Sequence, residues 1–192
     1  MKYYIAFVAI VLFLVISVKL IFSATKTKSP KPVSTISVKT LPDYASTGAE
    51  VSVTIDGPVV ANEDHRAVRV TVSRNARQVD VLEGYQGKIV RSKTYDNNEP
   101  AYEAFLRALN SYAFTRERVT KIANPGDTCA IGDHFYYDLK NTGDSKTDKS
   151  LWSTSCGLVG TSGSPAGPAI RDLFQAQIPG TDYSSLTSDV IL

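Results

Sequence analysis

The chain has 192 residues, a formal net charge of +2 and only two cysteines. That length suits one domain with a real core beside shorter segments, and two cysteines are too few for a fold built on disulfides. Charge is unevenly spread: residues 1–48 hold six lysines against Asp43, which leaves 15 basic and 18 acidic residues of the total 21 and 19 for the rest. The globular part therefore lacks the basic excess that nucleic-acid binding needs.

From Tyr3 to Phe22 the chain is apolar, interrupted only by Lys19. About 20 helical residues cross a bilayer core of about 30 Å, and Lys19 can reach the headgroups along its apolar stem. Tyr3 and Tyr4 suit the opposite interface. The segment reads as an uncleaved transmembrane signal-anchor over residues 1–23, its partner being the lipid bilayer. Lys26, Lys28 and Lys31 follow the span, and the positive-inside rule alone would hold the domain in the cytoplasm. The signal-like position and a single cysteine pair argue for the other side, so an extracytoplasmic domain on a bacterial-type cell membrane is expected. Cleavage near Ser23 is the rival reading. Residues 24–48, rich in Ser, Thr, Lys and Pro, read as a polar stalk in which Pro30, Pro32 and Pro42 favour extended backbone.

Residues 49–192 read as one α+β domain with a mostly antiparallel sheet and two amphipathic helices. Val51, Val53 and Ile55 alternate with polar residues, as do Val68, Val70 and Val72, and each series predicts a half-buried strand. A turn at residues 73–75 and another around Tyr85-Gln86-Gly87 then set off two more strands, giving a meander. At Asn98 the period changes. Tyr102, Phe105, Leu106, Leu109 and Tyr112 form one helical stripe, with Asn98 as cap and Pro100 in the first turn. Residues 115–122 fit a strand or a helix end.

If Cys129 and Cys156 face each other across an antiparallel pair, opposed residue numbers sum to 285. The midpoint then falls at the turn-forming string Asn141-Thr142-Gly143-Asp144. This register puts Ile131, Phe135, Tyr137, Leu139, Trp152 and Thr154 on the cysteine face, with Tyr136 and Leu151 breaking the pattern. A structural disulfide is expected rather than a redox couple, which would appear as C-x-x-C. Ala169, Ile170, Leu173, Phe174 and Gln177, behind Pro168 and ahead of Pro179, predict the second helix. The tail after Thr181 gives no pattern.

Chemistry-bearing groups are few. The string Gly160-Thr161-Ser162-Gly163-Ser164-Pro165 resembles the nucleophile segment of chymotrypsin-like serine peptidases. The resemblance implies Ser162 as nucleophile, with Gly160 and Ser162 near an oxyanion hole, in a double β-barrel. It covers six residues. His65, within Glu63-Asp64-His65-Arg66, lacks the small-residue context of that family's histidine, and the domain is short for two barrels. A Gly/Ser/Pro loop leading into a helix accounts for the string without catalysis. His134, beside Asp133 and near Asp127, has no recognised zinc spacing and reads as an exposed strand histidine. Residues 138–148 lack the order of a calcium loop and read as a solvated hairpin tip. No metal, cofactor or catalytic residue is therefore assigned. The expected role is a surface interaction or structural module with a protein or cell-envelope partner. The alternative is a small surface hydrolase using Ser162 or a site centred on His134.

Overall fold

The computed structural model describes residues 40–116, 129–143, 148–156 and 167–190. The anchor from Tyr3 to Phe22, the stalk up to residue 39, Asp127, and Ser162 with its neighbours lie outside the described residues. Among the described residues no helix is long and apolar enough to cross a membrane.

One antiparallel sheet carries three helices. The strands are β1 (Ala49–Asp56), β2 (Arg66–Ser73), β3 (Ala76–Glu83), β4 (Lys88–Asp96), β5 (His134–Asn141) and β6 (Lys149–Thr154). The helices are α1 (Glu99–Ser111), α2 (Gly167–Gln175) and α3 (Gly180–Thr187). Spatial strand order is β4-β3-β2-β1-β5-β6, so the meander β1–β4 and the hairpin β5–β6 meet at β1. Such an open sheet is not the double barrel that the peptidase resemblance implies.

The alternation read in the sequence decides the faces. Val51, Val53 and Ile55 of β1, Val68, Val70 and Val72 of β2, and Phe135, Tyr137 and Leu139 of β5 are buried in one core with Tyr102, Phe105, Leu106 and Leu109 of α1 and Ile170 and Phe174 of α2. Each fully buried valine or isoleucine contributes about 1.5–3 kcal/mol. Phe174 packs edge-on to Phe105 at 5.0 Å, and Phe114 lies 5.8 Å from Tyr137. The Tyr102 hydroxyl, its pKa raised by burial, donates to the Ala49 carbonyl at 3.0 Å and pins α1 to β1.

Helix ends follow from capping chemistry. Asn98 accepts from the Ala101 N–H at 3.0 Å, as expected. At the other end Phe114 N–H reaches the Leu109 carbonyl and Ala113 N–H the Asn110 carbonyl, a Schellman closure with Ala113 at φ 55. This closure turns Phe114 into the core. Tyr112, placed on the buried stripe by spacing, is instead 40% exposed, because the helix has ended before it.

Three features depart from the sequence reading or fill what it left open. The packed body begins before Ala49: residues 41–44 form a 3-10 turn, and Leu41, Tyr44 and Ala45 are buried against the core. Pro42 ends regular structure less than its apolar neighbours demand burial. The tail forms α3, held beside β4 by Lys93–Asp182 at 2.7 Å, Tyr95–Asp182 at 2.7 Å and the Arg91–Asp189 pair. Long-range charge pairs of this sort leave no local periodicity.

The third feature, a correction, concerns the hairpin. Paired residue numbers across β5 and β6 sum to 288, from His134 opposite Thr154 to Leu139 opposite Lys149, not 285. An odd shift moves every β6 side chain to the other face. Leu151 and Ser153 join the core side, which resolves the Leu151 exception, while Trp152 pairs with Tyr136 on the outer side. The Cys129–Cys156 disulfide still forms, with Cα atoms 5.7 Å apart. A turn over residues 129–132, closed by Gly132 N–H to the Cys129 carbonyl, absorbs the three-residue difference and leaves Ile131 92% exposed. Gly132 is required there: a Cβ would lie 2.5 Å from Cys129 Sγ and from Ser155 Oγ.

Two outcomes are expected. Cys156→Ala should lower the unfolding free energy by about 3 kcal/mol, as measured by urea denaturation, since the bond constrains a long loop in the unfolded chain. Gly132→Ala should hinder oxidation, so mass spectrometry of thiol-alkylated protein should find a free-thiol fraction absent from the wild type.

Candidate functional site

Ionisable and hydroxyl groups gather at one end of the sheet, the end away from Ala49. Alternation places Asp56 on the outer face at the end of β1. Its β5 partner is His134, and His134 in turn opposes Thr154 of β6. His65, one residue ahead of β2, points to the same face and brings Nε2 to 2.6 Å from Asp56 Oδ1. The order Tyr85, His65, Asp56, His134, Thr154 thus crosses the sheet in one row. The short contact between His65 and Asp56 is not aligned as a hydrogen bond, and His65 Nδ1 is buried without a hydrogen-bond partner.

The connection between β1 and β2 is built around this row. The Ala61 carbonyl accepts from Asp64 and His65 N–H, which folds the loop back toward β2. Gly84, at φ 68, carries the β3–β4 turn under the loop, and its N–H donates to the His65 carbonyl at 3.0 Å. Tyr85 then stacks on His65 with ring centroids 3.9 Å apart. Its hydroxyl donates to the Val60 carbonyl and accepts from Val60 N–H. Val59 N–H reaches the Ala130 carbonyl at 2.8 Å, so the loop is also tied to the disulfide turn.

Burial raises the Asp56 pKa above the ordinary carboxylate value, against the opposing pull of His65 and, more weakly, His134. Tyr136, on the same face, is raised by burial and by the Asp56 charge. The row is therefore a partly desolvated carboxylate between two histidines. His134 is 3% exposed, so its expected place on a solvent-facing strand surface is corrected: it lies on the outer face, but the pairing of β5 with β1 sets it opposite Asp56, where it is buried.

A carboxylate beside an imidazole is two-thirds of a hydrolytic triad, and the chain order Asp56, His65, Ser162 can be written down. Ser162 lies outside the described residues, and His65 is only 4% exposed, which leaves a substrate little access to its free nitrogen. Among the described residues no group of three His, Cys, Asp or Glu side chains is placed to hold a metal ion. Asp148 of the hairpin tip accepts from Asn141 N–H at 2.7 Å and closes the hairpin. What the His65–Asp56–His134 row does in this geometry is anchor two loops to the sheet. Sequence reasoning missed it because no spacing links residues 56, 65 and 134; the outward parity of Asp56 in β1 was the one available sign.

The pair should show coupled energetics. His65→Ala strands a partly buried carboxylate and should cost about 1–3 kcal/mol at neutral pH, with much of the loss recovered in the Asp56→Asn/His65→Ala double variant. Asp56 has its folded pKa raised, so its contribution to stability is complete below the ordinary value of 3.8 and is lost as pH rises through the folded value. Asp56→Asn should accordingly gain on wild type as pH rises above the ordinary carboxylate value of 3.8 in urea titrations.

No family model matches this chain, and no curated protein matches it.

Proposed function

We propose that this chain is a membrane-anchored, extracytoplasmic interaction or structural module. The segment from Tyr3 to Phe22 would hold it in the bilayer and residues 24–39 would space it from the surface. The disulfide between Cys129 and Cys156 carries the reading, because such a bond persists in oxidising compartments and is rare in the cytosol. The partly buried, loop-anchoring use of His65 and Asp56 supports a binding scaffold over a turnover site. A surface hydrolase is the second reading, favoured by the short His65–Asp56 contact and the resemblance around Ser162.

Two measurements separate these possibilities. A fluorophosphonate probe should leave the purified protein unlabelled; stoichiometric labelling of Ser162 would make it a hydrolase. Protease added to intact cells should digest the domain while the anchor fragment stays in the membrane after carbonate washing. Protection until lysis would place the domain in the cytoplasm instead.

A further inference from the structure

Among the described residues, the large apolar side chains left exposed gather at one place, Tyr112 apart. Val59, Val60, Tyr85, Ile89, Val90 and Ile131 all lie at the end of the sheet where β1 finishes and β2 starts. That end is about 24 Å along β1 from Ala49, where the chain enters the sheet. The residues are joined by contacts already described: Tyr85 to Val60 through the phenol, Val59 to Ala130 beside Ile131, and the β3–β4 turn from Tyr85 to Ile89. Ile89 pairs with Leu82 on the outer face, and Val90 is the extra residue at the bulge between Val81 and Leu82. A contiguous exposed apolar patch of this kind marks a contact surface more often than chance exposure does.

Charge around the patch selects the occupant. Glu63, Asp64 and Asp133 border it, and among the described residues none of the three carboxylates enters an ion pair. Arg66 is taken up by Glu83, and Arg91 by Asp189. Lys88 lies 4.0 Å from Glu83. A shallow pocket of about 140 Å³ opens between Gly57, Pro58, Val60, Asp64, Arg66 and Asp189, where Arg66 is taken up by Glu83 and Asp64 is left without an ion-pair partner among the described residues. An anionic membrane would be repelled by such a rim, whereas lysine or arginine flanking an apolar stretch would be matched by it.

We infer that this rim is a docking surface for a protein segment with an apolar centre and basic flanks. The inference rests on the interaction-module reading, and its test is independent of the topology and fluorophosphonate results. Apolar side chains of the partner would cover Val60, Tyr85 and Ile131, while its cations would meet Glu63, Asp64 and Asp133. The disulfide turn and the Tyr85 clamp hold the patch in shape before binding, which lowers the ordering cost.

The full chain in nanodiscs can be titrated with a fluorescent synthetic peptide that carries an apolar centre between lysine flanks. A glutamate-flanked counterpart and phosphatidylglycerol vesicles serve as competing probes. The lysine-flanked peptide should bind, more weakly at higher salt, and the other two should not. Glu63→Gln/Asp64→Asn/Asp133→Asn should weaken binding about tenfold and flatten the salt dependence. Val60→Ser/Ile131→Ser should abolish it, whereas Tyr112→Ser, exposed elsewhere, should not, with melting curves confirming that each variant is folded. Absence of wild-type binding, equal binding of the acidic peptide, or vesicle bridging abolished by Val60→Ser/Ile131→Ser would each overturn the inference.

Discussion

The pairing of β1 with β5 is the constraint on which the rest depends. β1 has a strand on each side, and Val51, Val53 and Ile55 are all but inaccessible to water. Its pairing with β2 is local, closed by a short loop. Pairing with β5 joins residue 49 to residue 141 and brings the hairpin onto the meander across the whole of α1. Closing that large loop carries an entropic cost, offset by the apolar area of β5 and by α1 docking on the same face. The Tyr102–Ala49 hydrogen bond lies where the two halves meet and is buried, so its loss would cost more than that of an exposed one. The disulfide assists from the far end by limiting how far β5 and β6 can separate in the unfolded chain.

Once β1 is central, its two faces acquire different tasks. The face under α1 and α2 is apolar throughout. The outer face is polar but not simply solvated: Asp80 is 1% exposed, paired with Arg69 at 2.9 Å and accepting from Gln78 and Ser92, each at 2.7 Å. A buried carboxylate on β3 with partners on β2 and β4 fixes register, since a one-residue slip would leave it unpaired. The Asp56 row repeats the device at the end of the sheet, with less complete satisfaction. Asp80 is held by three donors, while Asp56 has one misaligned imidazole and a raised pKa. The difference marks the row as the less settled of the two, placed beneath loops rather than in the middle of a ladder.

How much of this could be read from the chain depends on the range of the interaction. The first four strands, the Asn98 cap, α1 and α2 follow from local period and capping chemistry, and each was legible. The disulfide was legible as a bond but not as a register, because a cysteine pair fixes proximity and not direct opposition. The residues between Cys129 and β5 form a turn, and the glycine that permits it, Gly132, gave no sign of which neighbours it would meet. From that one offset came two further misplacements, Trp152 on the core side and Thr154 beside it, whereas His134 was put on the correct face and is buried there opposite Asp56 of β1. α3 was illegible because its attachment runs through Asp182 and Asp189 to β4, about ninety residues away in sequence.

The same offset explains why the candidate surface sits where it does. With the cysteines directly opposed, residues 129–132 would continue β5, and Ile131 would face the core beside Phe135. The turn instead directs Ile131 outward and puts the Ala130 carbonyl within reach of Val59 N–H. One covalent bond therefore stabilises a conformation that burial alone would oppose, because folding gains nothing by exposing an isoleucine. Tyr85 shows a like exchange: its ring is half-exposed, yet it uses both hydrogen-bonding capacities of its phenol on a single residue, Val60. Both features hold apolar side chains in place without covering them.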